Sequence, residues 1–415
     1  MGSAASVTGR AARRVGLSSV GEIAGRAVNL LLPFAIFAAH KADAQTDSFF
    51  LALAVALFVQ ASVGGGLVSA LVPEFVRSDE RKGITSFATI AAGGGVVAGF
   101  AAAVITGGYL PIWVSSLAVG VMATSGLLAA PSVAALNADH RYGAPGISWG
   151  LRLVPVGLFV VVEDAGRQLA ALLLGLAAAD ALRAAVLLWI ARARLAFSRA
   201  YCELGFPISA ASVIAASVVA GFNPLVVRWL ATLHDPGSVS LFEAADRLYS
   251  SVASLATIGV GSVTLVYLAR LQGTDEEEPR WRLILQVSVA WSMLWLVVSL
   301  GLWRWFPWDG PWFALQSAEG MRAVRDTFLC LAIGMTGFIL TGVFARRLLV
   351  MGLSTWLVPL SLAGVACTLV AGLLLVRTFG VPGIGAALSL SQYLVAGLMV
   401  WALNRKAGNA SSRIG

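Results

Sequence analysis

The chain has 415 residues, 58% of them hydrophobic and only 12% charged, with a formal net charge of +8. Soluble domains carry about 25% charged residues, so a soluble enzyme or nucleic-acid-binding module is excluded as the bulk of the molecule, and the basic excess reads as membrane topology. Apolar runs of bilayer-crossing length recur from end to end, too continuous for the alternating strands of a barrel, and the predicted fold is an all-α polytopic membrane protein.

In chain order, a short N-terminal segment, 1–15, carries Arg10, Arg13 and Arg14. Ala42-Asp43-Ala44 resembles the cleavage site of a signal peptide, but the run before it is long for that role and holds Glu22 and Arg26. An uncleaved first span is expected. Twelve spans follow from the apolar runs: roughly 16–39, 48–76, 84–106, 109–136, 143–162, 168–190, 205–232, 240–268, 282–303, 323–345, 355–376 and 382–403. The polar link 191–203 separates an N-lobe, 16–190, from a C-lobe, 204–403, and a tail follows from 404 to 415. A weak echo relates the lobes. Ser48-Phe49-Phe50 with Gly64 to Val72 in the second span parallels Ser240-Leu241-Phe242 with Gly259 to Tyr267 in the eighth. Both pieces occupy the second span of their lobe, which gives two pseudo-symmetric six-helix lobes around a central cavity, a common transporter plan.

Loop charges set the orientation. Eighteen Lys and Arg residues fall on the side of both termini and six on the other, so both termini are expected in the cytoplasm. The aromatic run Trp303 to Phe313 reads as an interfacial anchor. Glycines at GxxxG spacing, Gly95 with Gly99 and Gly146 with Gly150, read as close helix contacts; a hinge at Gly64 to Gly66 is the alternative use of small residues.

The three cysteines, Cys202, Cys330 and Cys367, and the three histidines are scattered. They give neither a disulfide framework nor a metal-ligand spacing. There is no phosphate-binding G-x-x-x-x-G-K-[ST] loop and no catalytic constellation. The expectation is a non-enzyme without a cofactor, driven at most by a coupling cation or the membrane potential.

Charges inside spans are the functional signal, since each costs about 2.5–3.5 kcal/mol at the bilayer centre. Glu243, Asp246 and Arg247 share a broad face at i, i+3 and i+4. Arg26 stands mid-span, with Glu22 four residues earlier. Each set is either a self-paired cluster or the lining of a polar cavity. Arg152, Asp180 and Arg183 read as structural, and Arg228 as snorkelling from a helix end. If Arg26 and Arg247 face one cavity, it suits an anionic, phosphorylated substrate, because the guanidinium fork binds phosphate bidentately.

Gln45-Thr46-Asp47-Ser48-Phe49-Phe50 with Ala70-Leu71-Val72-Pro73-Glu74-Phe75, and Ala245-Asp246-Arg247-Leu248-Tyr249 in the eighth span, resemble signatures of the MurJ/MviN lipid II flippase family. The resemblance implies the multidrug/oligosaccharidyl-lipid/polysaccharide exporter fold in a bacterial inner membrane. It implies alternating-access flipping of a polyprenyl-pyrophosphate-linked glycan, with cell-wall synthesis enzymes as candidate partners. It also implies pyrophosphate contacts at Arg247 and Arg26, with Asp246, Glu243 and Glu22 orienting them or answering a cation. Two features depart from the family: the second span, Phe58 to Gly66, has no basic residue, and twelve spans are counted rather than fourteen. The alternatives are an O-antigen or exopolysaccharide repeat-unit flippase, a cation-coupled drug antiporter and a non-transporting scaffold.

Overall fold

A computed structural model describes residues 30–411 except 78–79, 107, 140, 142, 162–164, 199–203, 205–210, 272–275, 309 and 311–315. The sequence expectations for Glu22, Arg26 and most of the first span lie outside the described residues. By Cα packing the chain forms two compact units, Met1–Gly221 and Phe222–Gly415. Ten helical stretches among the described residues are long and apolar enough to cross a bilayer, which makes this an all-α polytopic membrane protein.

The first unit contains α1 (Leu30–Ala39), α2 (Ala44–Phe58), α3 (Gly65–Arg77), α4 (Thr85–Ile105), α5 (Ile112–Ala138), α6 (Gly143–Ser148), α7 (Leu153–Val161), α8 (Ala165–Ile190) and the start of α9 (Ala211–Thr232). Asp43 caps α2: its carboxylate accepts from the Gln45 and Thr46 amides, and the Thr46 hydroxyl accepts from the Asp43 amide, satisfying donors that a helix start leaves free. A six-residue π-helical turn, Val59–Gly64, joins α2 to α3 within one span. Gly126 and Gly221 leave room for it. A Cβ on Gly126 would stand 2.4 Å from Gln60 Cγ, and one on Gly221 1.7 Å from Ser62 Oγ.

Helix α5 is the axis of this unit, packed by α2, α3, α4 and α8. The Gly95/Gly99 spacing does what the sequence suggested. An added Cβ would lie 2.7 Å from Gly120 O at Gly95 and 2.5 Å from Ser116 O at Gly99, so α4 and α5 approach at backbone distance. Between spans, β1 (Lys82–Gly83) and β2 (Leu195–Ala196) pair in parallel. Arg81 Nε donates to Leu195 O at 3.1 Å, and Arg194 reaches Asp139 at 2.7 Å and Phe75 O at 2.6 Å. These bonds clip two loops of the first unit together over the Leu71, Phe75, Ile84 and Leu195 core.

The second unit continues α9 and adds α10 (Ser238–Leu271), α11 (Glu277–Trp305), α12 (Ala318–Ile333), α13 (Met335–Val350), α14 (Leu357–Phe379) and α15 (Val381–Ser411). Helices α12 and α13 abut at Gly334 to make one span. Helix α15 packs on α12, α13 and α14 through small residues. Ser389 Oγ donates to Cys330 O at 2.5 Å and Ser391 Oγ to Gly364 O at 3.1 Å. Gly380, at φ +62°, turns α14 into α15, a conformation that costs glycine nothing. Helix α10 has membrane-crossing length at 34 residues, and its opening turns carry three charges, Glu243, Asp246 and Arg247.

Candidate functional site

Those charges close on one another. Glu243 is fully buried. Arg247 Nε donates to its Oε1 at 2.6 Å, and Arg247 Nη2 also contacts that oxygen. The self-paired arrangement weighed from the i, i+4 spacing is therefore present. The second oxygen of Glu243 faces a partner from another helix: Arg228 Nη2 of α9 lies 2.6 Å from Oε2. Arg228 also stands 3.4 Å from Asp246 Oδ2, and Ser250 Oγ stands 3.4 Å from Asp246 Oδ1. Two arginines and two carboxylates thus form one cluster of zero net formal charge.

The snorkelling expected of Arg228 is not observed. Its side chain is 5% exposed, held by the carboxylates in front and by Pro224 O at 2.7 Å behind. Pairing outweighs the reach to water because Arg247 occupies only one oxygen of the buried carboxylate, and Arg228 meets the other. The signal for Arg228 was its location next to an acidic helix start across a short loop, which span-by-span reading separates. Within the cluster, exposure grades from Glu243 at 1% through Arg247 at 11% to Asp246 at 18%. The two outer members are the ones a ligand can reach.

A second charged group lies in the first unit. Arg152 grips Asp180 bidentately, Nε to Oδ1 at 2.7 Å and Nη2 to Oδ2 at 2.6 Å. Gln60, in the π turn, accepts from Arg152 Nη2 at 2.8 Å and donates to Met122 O at 2.9 Å and to Asp180 Oδ2. All three side chains are buried, and with Met122 they tie together four spans. This agrees with the structural reading of Arg152 and Asp180. Gln60 was missed, since a neutral amide in an apolar run gives no charge signal. Among the described residues, no group of three or more His, Cys, Asp or Glu side chains could hold a metal ion.

A family profile described as "Lipid II flippase MurJ" matches residues 38–414. No curated protein matches in direct sequence comparison. Among solved structures, the chain is similar to a lipid II flippase MurJ in an inward closed conformation, with TM-score 0.69 and 14% identity over 94% of this chain and 87% of that one. It is also similar to an inward-facing multidrug resistance MATE family transporter of the MOP superfamily, with TM-score 0.63 and 12% identity over 95% of each chain. A MOP superfamily transporter from Pyrococcus furiosus, described as having a binding pocket of reverse polarity, gives TM-score 0.62 and 12% identity over 94% of this chain and 95% of that one. The structural likenesses speak for the fold, and the profile covers nearly the whole sequence: the chain belongs to the MurJ lipid II flippase family, a family of transporters rather than enzymes.

Proposed function

We propose that the protein flips a polyprenyl-pyrophosphate-linked glycan, lipid II or a close relative, across the bacterial cytoplasmic membrane by alternating access, with both termini in the cytoplasm. The family match carries the reading, and the α9/α10 cluster supplies a chemistry for it. Arg247 is the ligand-facing cation. Its fork is planar and always charged, which suits a pyrophosphate. Glu243 holds that fork in place while the site is empty, and Arg228 engages the other Glu243 oxygen from α9. A pyrophosphate would compete with Glu243 for Arg247, so binding exchanges one ion pair for another instead of adding a bare charge to an apolar interior. Arg26 and Glu22 would serve the same headgroup from the first span. The membrane potential could return the empty carrier, since charge moving through the field is worth about 2.3 kcal/mol per 100 mV. Recruitment of cell-wall synthesis enzymes fits this role.

Complementation of a strain depleted of its own lipid II flippase tests the reading. Wild type should restore growth, and Arg247→Ala at equal membrane level should not. Equal rescue by Arg247→Ala would sink the assigned role of that arginine. No rescue by well-expressed wild type would shift the substrate to another lipid-linked glycan, read by polysaccharide export. A cation-coupled antiporter is favoured by one observation, the loosely held and partly exposed Asp246 carboxylate. It predicts that Asp246→Asn abolishes transport while Arg247→Ala spares it.

A further inference from the structure

The fifth span is broken. Trp149–Arg152 forms a 3-10 turn between α6 and α7. Pro155 explains it, because it offers no amide to the carbonyl of Leu151, and the tighter turn takes up the lost bond. Pro155 in turn seats on Gly175 of α8, where an added Cβ would stand 2.8 Å from Pro155 Cβ. This close approach brings Ser148, Trp149 and Arg152 against one stripe of α8, the stripe carrying Asp180 and Arg183.

Asp180 is fully engaged. Arg152 spans both its oxygens and Gln60 shares one of them. Arg183, one turn along, therefore has no carboxylate of its own. It is 7% exposed, its Nε donates to Ser148 Oγ at 3.1 Å, and its guanidinium lies 3.7 Å from the Trp149 ring centre. Among the described residues it forms no ion pair, and none of their groups takes its two terminal nitrogens. Two arginines and one aspartate leave a formal charge of +1 inside the first unit. A buried guanidinium is normally matched by an anion. Here the rest of its shell is built, with an indole under one face and a hydroxyl on the edge nitrogen, while the two terminal nitrogens take no partner among the described residues.

The depth fits one class of anion. Arg183 stands seven residues before the end of α8, and Trp149 six residues into the fifth span. At 1.5 Å per residue both lie about 9–11 Å from their helix ends. These are the ends joined to the basic loops with Arg141, Arg192 and Arg194. Headgroup layers are about 5–7 Å thick on each side, which sets the fork just beneath the phosphates of that leaflet. The geometry points to Arg183, backed by Trp149 and Ser148, as a second binding site for a lipid phosphate, separate from the α9/α10 cluster. It deepens the flippase reading, on which it rests only for the identity of the lipid. The site would receive the phosphorylated headgroup at its entry leaflet, replacing charge that the second span lacks.

Full-length protein in lipid-free detergent micelles, titrated with undecaprenyl diphosphate or with phosphatidylglycerol and read by native mass spectrometry, decides it. Arg183→Gln should raise the apparent Kd for at least one of the two lipids tenfold or more. Arg183→Lys, which keeps the charge and loses the fork, should fall between. Loss confined to undecaprenyl diphosphate assigns the site to the substrate headgroup, and loss confined to phosphatidylglycerol assigns it to a bilayer lipid. Loss of both makes it a general lipid-phosphate site. If Arg183→Gln is too unstable to purify, Arg183→Lys alone carries the test, with a threefold or greater weakening expected. Binding within twofold of wild type in every variant that purifies, or no binding of either lipid by wild type, overturns the proposal. Arg247→Gln run beside it separates the two ideas: unchanged binding there counts against the α10 site and leaves the Arg183 result standing.

Discussion

Among single residues, the lesson of the two charged groups is that partner choice follows burial. Arg228 and Arg152 both sit on apolar helices, and both end against a carboxylate from a neighbouring helix. Sequence reading brought out Glu243 with Arg247, and Arg152 with Asp180 as structural, because charge in an apolar run is conspicuous and i, i+4 neighbours are local. It missed Arg228 with Glu243 and Gln60 with Arg152, because those contacts cross between helices whose rotation only packing fixes. The Arg152–Asp180 pair gives a direct stability prediction. Removing one partner strands the other charge, at a cost of about 3–5 kcal/mol. Asp180→Asn should therefore lower the thermal midpoint of the purified protein markedly. The double change Arg152→Met with Asp180→Leu should recover part of the loss. A double variant less stable than Asp180→Asn would show that Gln60 and Met122 depend on the pair more than the pair's own desolvation costs.

The helices themselves were the most legible part. Runs of about 20 apolar residues can satisfy their backbone in lipid only as helices, and ten of the twelve predicted spans coincide with apolar helical stretches. What the pattern hides is irregularity: the π turn at Val59–Gly64 and the 3-10 turn at Trp149–Arg152 leave composition and hydropathy unchanged. The glycine contacts divide the same way. Gly95 and Gly99 meet α5 at backbone distance, while an added Cβ on Gly93 or Gly150 meets nothing within 4 Å. Spacing alone proposed both GxxxG pairs, and the rotation of each helix decided between them. Gly99→Leu should then force α4 off α5 and cost membrane-inserted, monodisperse protein in size-exclusion chromatography. Gly93→Leu, on the open face of the same helix, should leave the elution profile unchanged. Equal behaviour of the two would contradict the α4–α5 contact.

For the whole molecule, the question that matters for transport is which ends of the helices face the cytoplasm, because that decides which leaflet each arginine site meets. The basic excess on the loops of both termini predicts the answer through the positive-inside rule. Two exposed acidic positions test it: Asp235 in the α9–α10 turn, with a side chain 86% exposed, and Glu276 before α11, 66% exposed. In a background with Cys202, Cys330 and Cys367 replaced by serine, Asp235→Cys should react with a membrane-impermeant maleimide in intact cells. Glu276→Cys should react only after permeabilisation. That outcome sets the start of α10, with Arg228, Glu243 and Arg247, about 6–14 Å from the outer ends of its helices, and by the same alternation of spans sets Arg183 beneath the cytoplasmic headgroups. A phosphate bound at Arg183 would then belong to a lipid of the cytoplasmic leaflet. The reverse labelling pattern would exchange the two ends, and Arg183 could then receive only a lipid of the outer leaflet.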